Sequence, residues 1–182
     1  MYLCLQVQFM FKGLINRMKR IGLLSDTHGY LDPKIFEYFK DVDEIWHAGD
    51  VGDIKVVEEL EAFKPVKGIH GNIDDHVVRA AWPEHFAFRC EDMKILISHI
   101  GGKPYKYRKD SFPEIQKENP DVFVCGHSHI LLVQFDKKIN AMWLNPGACG
   151  LKGFHKVKTL LRFEVNGNKL QNMEAIELGK RV

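Results

Sequence analysis

The stretch RIGLLSDTHG, residues 20–29, decides how this chain folds. The run Ile-Gly-Leu-Leu followed at once by Ser-Asp-Thr-His-Gly reads as a short buried strand that ends in a polar turn. Working outward, PKIFEYFK (33–40) places Pro33 at the first position of a helix behind Asp32, a suitable N-cap. EIWHAG (44–49) is a second apolar run, ended by Gly-Asp. DIKVVEELEAF (53–63) sets Ile54, Val57, Leu60 and Phe63 on one helical face, and VKGIHGN (66–72) is a third strand. A β-α-β-α-β series predicts parallel strands joined by right-handed crossovers.

The second half reads differently. MKILISH (93–99) and VFVCGHS (122–128) are strands separated by a polar, partly helical stretch. ILLVQFD, KINAMWLN, TLLRFEV and KLQNMEAIEL then follow closely, with Asp-Lys-Lys and Asn-Gly-Asn turns among them, which predicts antiparallel hairpins. No internal repeat or linker divides the chain, so residues 18–182 read as one domain with two sheets. Residues 1–17 are apolar but lack both a preceding basic region and a small-residue cleavage site, and are too short to span a bilayer. MKRIGLLSD opens like an α/β domain, so Met18 is the expected physiological start and residues 1–17 an upstream extension, with an added strand or helix packed on the domain as the alternative.

A length of 182 residues suits one domain, and 45% hydrophobic with 27% charged residues is ordinary for a globular protein. A net charge of +2 gives no strong signal for nucleic acid or an anionic membrane. The four cysteines form no Cys-x-x-Cys pair, which argues against a thiolate zinc site and a disulfide framework and suits a reducing cytoplasm.

Five segments place polar residues just past an apolar strand: Asp26 and His28, Asp50, Asn72, His99, and His127 with His129. In open α/β sheets, loops past the carboxyl ends of neighbouring strands converge on one crevice. Imidazole, carboxylate and amide oxygen together suit Mn, Fe, Zn or Ni. Seven ligands exceed one tetrahedral ion and fit two ions about 3.5–4 Å apart that share a carboxylate. Glycines before Asp50, Asn72 and His127 would let the backbone approach closely.

The ordered series D-x-H (26–28), G-D-x-x-D (49–53), G-N (71–72), H (99) and G-H-x-H (126–129) resembles the calcineurin-like metallophosphoesterase superfamily. It is most similar to the small bacterial and archaeal phosphodiesterases with little beyond the catalytic domain. The likeness runs from Met18 to about Val165, and NPGA (145–148) also resembles a turn of that family. It implies a four-layer α/β/β/α sandwich of two facing mixed sheets. It also implies that Asp26, His28 and His129 hold one divalent metal and Asn72, His99 and His127 the other, with Asp50 bridging. Manganese heads the candidate metals, with iron, zinc and nickel as alternatives. A metal-bridging hydroxide would attack phosphorus in line with the leaving group, and Asn72 would add an amide donor near the phosphate. The expected substrate is a small phosphodiester. A non-catalytic interaction scaffold of the same fold, as in a retromer subunit, is the alternative, and a homo-oligomer stays open.

Other residues carry weaker signals. His47 reads as either a support for a ligand or a packed strand residue, and Asp53 as part of G-D-x-x-D or a helix cap. Lys103 and Arg108, in the basic aromatic loop GGKPYKYRKD (101–110), are substrate-contact candidates, with its tyrosines offered for stacking. Where larger family members place a proton-donating histidine after the motif asparagine, this chain has Ile73, followed by Asp74 and Asp75. Asp74 and His76 are candidate replacement acids, beside solvent or the substrate. His70, His76, His85 and His155 lie outside every motif and read as structural or surface residues, and Cys125 as a packed strand residue.

Overall fold

A computed structural model of the chain describes residues 18–181. The expected extension, residues 1–17, lies outside the described residues. The elements run β1 (Lys19–Leu24), α1 (Lys34–Tyr38), β2 (Glu44–His47), α2 (Ile54–Phe63), β3 (Val66–Gly68), α3 (His76–Ala81), β4 (His85–Cys90) and β5 (Met93–Ser98). They continue through β6 (Gly102–Lys103), β7 (Lys106–Tyr107), α4 (Phe112–Glu118), β8 (Val122–Val124), β9 (Leu131–Asp136), β10 (Ala141–Pro146), β11 (Val157–Asn166) and β12 (Lys169–Lys180).

Two five-stranded sheets form, in the orders β12-β11-β1-β2-β3 and β4-β5-β8-β10-β9. Each is mixed: β1, β2 and β3 are parallel, as are β5, β8 and β10, and antiparallel hairpins extend the edges. The alternation of side chains along a strand explains the layering. Ile21 and Leu23 of β1 meet Ile95 and Ile97 of β5 and Val122 and Val124 of β8 in a core between the sheets. Leu24 and Ile45 face the other way, onto Phe39 beside α1 and Val57 and Leu60 of α2. Leu96, Phe123 and Trp143 turn outward under Ile115 of α4. Three apolar layers therefore separate four structural ones, α/β/β/α. Strands covered on both faces are continuously apolar, which is why the sequence shows unbroken runs.

Local signals act as read in most places. Asp32 accepts from the Lys34 N–H at 3.1 Å and Asp53 from the Lys55 N–H at 2.9 Å, so each caps its helix. Four elements were not foreseen, among them the short antiparallel pair β6–β7 inside the stretch read as a loop, 101–110. Asp75 caps α3 by accepting from Val77 and Val78 N–H, and HFAFRC forms β4, antiparallel to β5.

At the amino ends of the first three parallel strands, Glu44 is buried and gathers Lys19 at 2.8 Å, Lys67 at 2.6 Å and the Trp46 indole N–H at 2.6 Å. Burial pushes its pKa up, but these three donors outweigh burial and hold it below 4.5. A folded value below the unfolded one means the contribution is present above pH 4.5 and is lost as pH falls through the folded value. Glu44→Gln should lower unfolding free energy by about 2 kcal/mol at pH 7. Urea titrations of both proteins should show that gap closing as the pH is lowered past the folded Glu44 pKa.

Candidate metal centre

The carboxyl ends of β1, β2, β3, β5 and β8 deliver the seven sequence-selected residues to one edge of the sandwich. The backbone there is unusual. Asp26 (φ 57°), His28 (50°), Asp50 (54°), His127 (62°) and His129 (57°) all lie in the left-handed region. For non-glycine residues that conformation costs on the order of 1 kcal/mol each and persists only where neighbours enforce it.

The enforcing contacts are backbone bonds between loops and a few buried side chains. Asp26 N–H donates to Gly49 O at 3.0 Å, and His28 N–H to Asp50 O at 3.0 Å. Between the sheets, His127 N–H donates to Asp26 Oδ2 at 3.2 Å; within the second sheet, Gly126 N–H past β8 donates to His99 O past β5 at 3.0 Å. Asp74 is buried and accepts three backbone N–H groups: Val51 at 3.1 Å, Gly52 at 2.6 Å and Gly71 at 2.7 Å. It ties the Asp50 loop to the Asn72 loop, and both its oxygens are committed to that task. Gly71 must be glycine because an added Cβ would overlap Asp50 Oδ1.

Two groups of ligand atoms result, each within 4.8 Å: Asp26, His28 and His129, and Asp50, His99 and His127. Asp50 faces both, with Oδ1 3.1 Å from His99 Nε2 and Oδ2 3.9 Å from His28 Nε2. Asp26 Oδ1 lies 3.2 Å from His129 Nε2. Yet Asp26 Oδ1, His28 Nε2 and His99 Nε2 are buried without hydrogen-bond partners. Buried polar atoms are normally satisfied. The unpaired buried nitrogen and oxygen atoms on three clustered residues form a donor set that suits divalent transition metals.

The His99 tautomer agrees with this, and so does charge at His28 and His127. His99 Nδ1 donates to Ala48 O at 2.7 Å, which leaves Nε2 as a lone pair. Burial lowers the pKa of His28 and of His127, favouring the neutral ligating form. In His99 burial acts the same way but Asp50 and Asp26 outweigh it, raising the value. Burial alone would raise Asp50, while His99, the Ile73 N–H and His28 together hold it down.

Asn72 is exposed and lines the same cavity as His99. His47 is fully buried, its pKa pushed down to about 4 by burial. Its Nδ1 accepts from Gly49 N–H at 3.1 Å, and its Nε2 meets Thr27 Oγ1 at 3.0 Å, so it braces the turn between Asp26 and His28. Arg108 lines a cavity with His127, and Lys103 lines an adjoining one of about 400 Å³ with Ile130, Leu132 and Trp143. Tyr107 differs from its expected stacking role: its hydroxyl donates to buried Asp136 at 2.8 Å and its ring stacks on Phe112. Tyr105 is exposed. Cys125 is buried, its thiol pushed up to about 12 by that burial.

Three supports had no sequence signal strong enough to name their task. Arg79 donates to the backbone carbonyls of Gly71, Asn72 and Asp74 and clamps the Asn72 loop. Asn145 of the Asn-Pro-Gly-Ala turn donates to Gly126 O at 2.8 Å and Ser128 Oγ at 3.1 Å, bracing the His127 loop. His155, read from sequence as structural or surface, instead meets His129, with Nδ1 3.2 Å from Nδ1.

The family model for the calcineurin-like phosphoesterase superfamily domain matches residues 18–168. The chain belongs to the calcineurin-like phosphoesterase superfamily. A relative from Methanothermobacter thermautotrophicus, described as a "probable metallophosphoesterase", is 31% identical over 138 residues, covering 70% of this chain and 76% of its own. Among solved structures, an archaeal phosphodiesterase superposes with a TM-score of 0.69 at 22% identity, covering 87% of this chain and 99% of that one. Vps29 from Chaetomium thermophilum superposes at 0.68 with 15% identity, covering 89% and 99%. At those identities the two structures establish the metallophosphoesterase fold, and the superfamily implies divalent metal ions.

Asp74→Asn would turn one acceptor into an NH2 group facing backbone N–H donors. The expected cost is about 1–3 kcal/mol, and the Asp50 and Asn72 loops should loosen together. Amide hydrogen exchange should show protection lost at both Val51–Gly52 and Gly71.

Proposed function

We propose that this phosphoesterase is a phosphodiesterase working with two divalent transition-metal ions, manganese first among the candidates. The observation that carries the reading is Asp50, whose two oxygens face two separate ligand groups. Asp26, His28 and His129 would hold one ion, His99, His127 and Asn72 the other, with Asp50 shared. When bound, such ions provide a water nucleophile at neutral pH and stabilise charge on phosphoryl oxygens.

The chain's own groups orient the substrate. Asn72 lies at the open side of the His99 cavity, where its amide would donate to a phosphoryl oxygen. Arg108 shares a cavity with His127 and would meet the phosphate or the group leaving it. The adjoining trough of Ile130, Leu132 and Trp143, with Lys103 and Lys106 on its rim, suits a flat apolar substituent bearing further negative charge. The free, buried Cys90, Cys125 and Cys149 suit a reducing cytoplasm. Among the described residues no helix is long and apolar enough to cross a membrane.

No side-chain acid stands at Ile73, and Asp74 is occupied by backbone N–H groups. A positioned general acid is commonly worth about 10²–10⁴ in rate, and its loss matters most for basic leaving groups. Activated aryl diesters should therefore turn over far faster than alkyl phosphates. The deciding experiment pairs metal analysis with a bis-aryl phosphodiester assay across Mn, Ni, Zn and Fe. Two bound ions with diester turnover support the proposal. Metal-free protein, or loaded protein inert on every diester, would favour the non-catalytic scaffold reading. Separately, Lys103→Ala with Arg108→Ala should raise KM for a good diester substrate while leaving metal content at two. An unchanged KM would remove the loop from substrate binding.

A further inference from the structure

The segment Gly150–His155 wraps the outer side of His129. Gly153 (φ 119°) packs so closely on the His129 ring that a Cβ there would overlap Nδ1 and Cε1. His155 stands edge-on to His129, ring centroids 5.1 Å apart, with the two Nδ1 atoms at 3.2 Å. Its other nitrogen, Nε2, lies 3.1 Å from Gly150 O. Gly150 N–H in turn donates to Asp26 O at 3.1 Å. A closed circuit therefore links Asp26, Gly150, His155 and His129, and both its ends belong to the same ligand group.

Proton bookkeeping around the circuit has one consistent solution for a ligating His129. A carbonyl oxygen only accepts, so His155 Nε2 carries hydrogen toward Gly150 O. Neutral His155 then presents a lone pair at Nδ1, and the hydrogen between the two rings must sit on His129 Nδ1. His129 Nε2 is left as a lone pair 3.2 Å from Asp26 Oδ1, an oxygen with no hydrogen bond of its own. The opposite assignment would place a hydrogen on His129 Nε2, pointing among the ligand atoms.

We infer that His155 is a positioning residue that locks His129 in its Nδ1–H tautomer and so sets the affinity of the ion held by Asp26, His28 and His129. The inference rests on the metal-centre reading above. Arg181 holds the segment from the far end of the chain, donating to His155 O at 2.9 Å and Leu151 O at 3.1 Å. The end of β12 is thereby tied to the segment that meets His129.

Removing the partner of a ligating histidine typically weakens metal binding by about 10–100-fold. Purified full-length wild type, His155→Ala, His155→Gln and Arg181→Ala would be titrated with Mn2+ against a chromophoric chelator. The histidine 15N signals would be recorded for metal-free and Zn2+-loaded protein. His155→Ala should weaken one of two ions by about 10–100-fold, and His155→Gln, whose carbonyl also accepts from Nδ1–H, should recover most of that loss. The His129 Nδ1–H signature should be present in wild type and His155→Gln and lost in folded, metal-free His155→Ala. Should His155→Ala fail to fold, Arg181→Ala provides the reading, with a smaller loss confined to the same ion.

Folded His155→Ala with both affinities within about two-fold of wild type would overturn the inference. So would equal weakening in the Ala and Gln variants with the His129 tautomer unchanged, the pattern of a merely structural residue. If wild type takes up no ion at all, the metal-centre reading fails instead. The His129 tautomer of the metal-free proteins then decides the circuit alone.

Discussion

The rest of the structure depends on a backbone constraint: five of the seven clustered polar residues must turn left-handed immediately past their strands. An extended strand alternates its side chains, so a chain continuing extended past its strand would aim some of these residues away from the crevice. A positive φ re-aims each side chain along the crevice. The cost, on the order of 1 kcal/mol per residue, is met collectively by bonds between the loops. Asp74 joins two loops, His47 with Thr27 steadies a third, and Asn145 the fourth. Donor atoms that repel or lack partners can be held together only where the backbone leaves them no alternative.

This division of labour gives the parallel strands opposite characters at their two ends. At the amino end, charges are neutralised within the protein, with Glu44 between two lysines and an indole N–H. At the carboxyl end, Asp26 and Asp50 face imidazoles, and buried donor atoms remain unsatisfied. The first arrangement stabilises the fold. The second stores an unmet demand for positive charge, which a bound divalent ion would answer.

The sequence made the central strands and the cluster of polar residues past their ends legible because both depend on local pattern: buried strands are continuous apolar runs, and each run breaks at a polar residue. Helices α1 and α2 were legible from Asp32, Asp53 and the spacing of their apolar residues. β4 was missed because HFAFRC is only partly buried at an edge, so its apolar residues form no unbroken run. Helix α3 was missed because its six residues offer too short a pattern and only one buried side chain. His155 and Arg79 lie outside the family motifs, and their partners come from distant segments or from backbone carbonyls, which leave no trace in spacing. Tyr107 looked free only because Asp136, 29 residues later, is invisible as its partner until the loop folds back.

Position 73 shows how the fold and the chemistry separate. Ile73 contributes its N–H to Asp50 Oδ1 at 3.1 Å, a contact any non-proline residue would make. Its side chain is 47% exposed and fills no core. Packing therefore does not demand isoleucine here, and the missing proton donor is not a by-product of stability. Asp74, the neighbouring carboxyl, is withdrawn into the scaffold, where both its oxygens accept backbone N–H groups. The same short loop thus supplies a cavity-facing amide at Asn72, a backbone donor at Ile73 and a structural clasp at Asp74, with no acid among the three. On the proposed reading, a site built this way would concentrate its electrostatic help on the phosphoryl group and leave the departing oxygen to its own basicity.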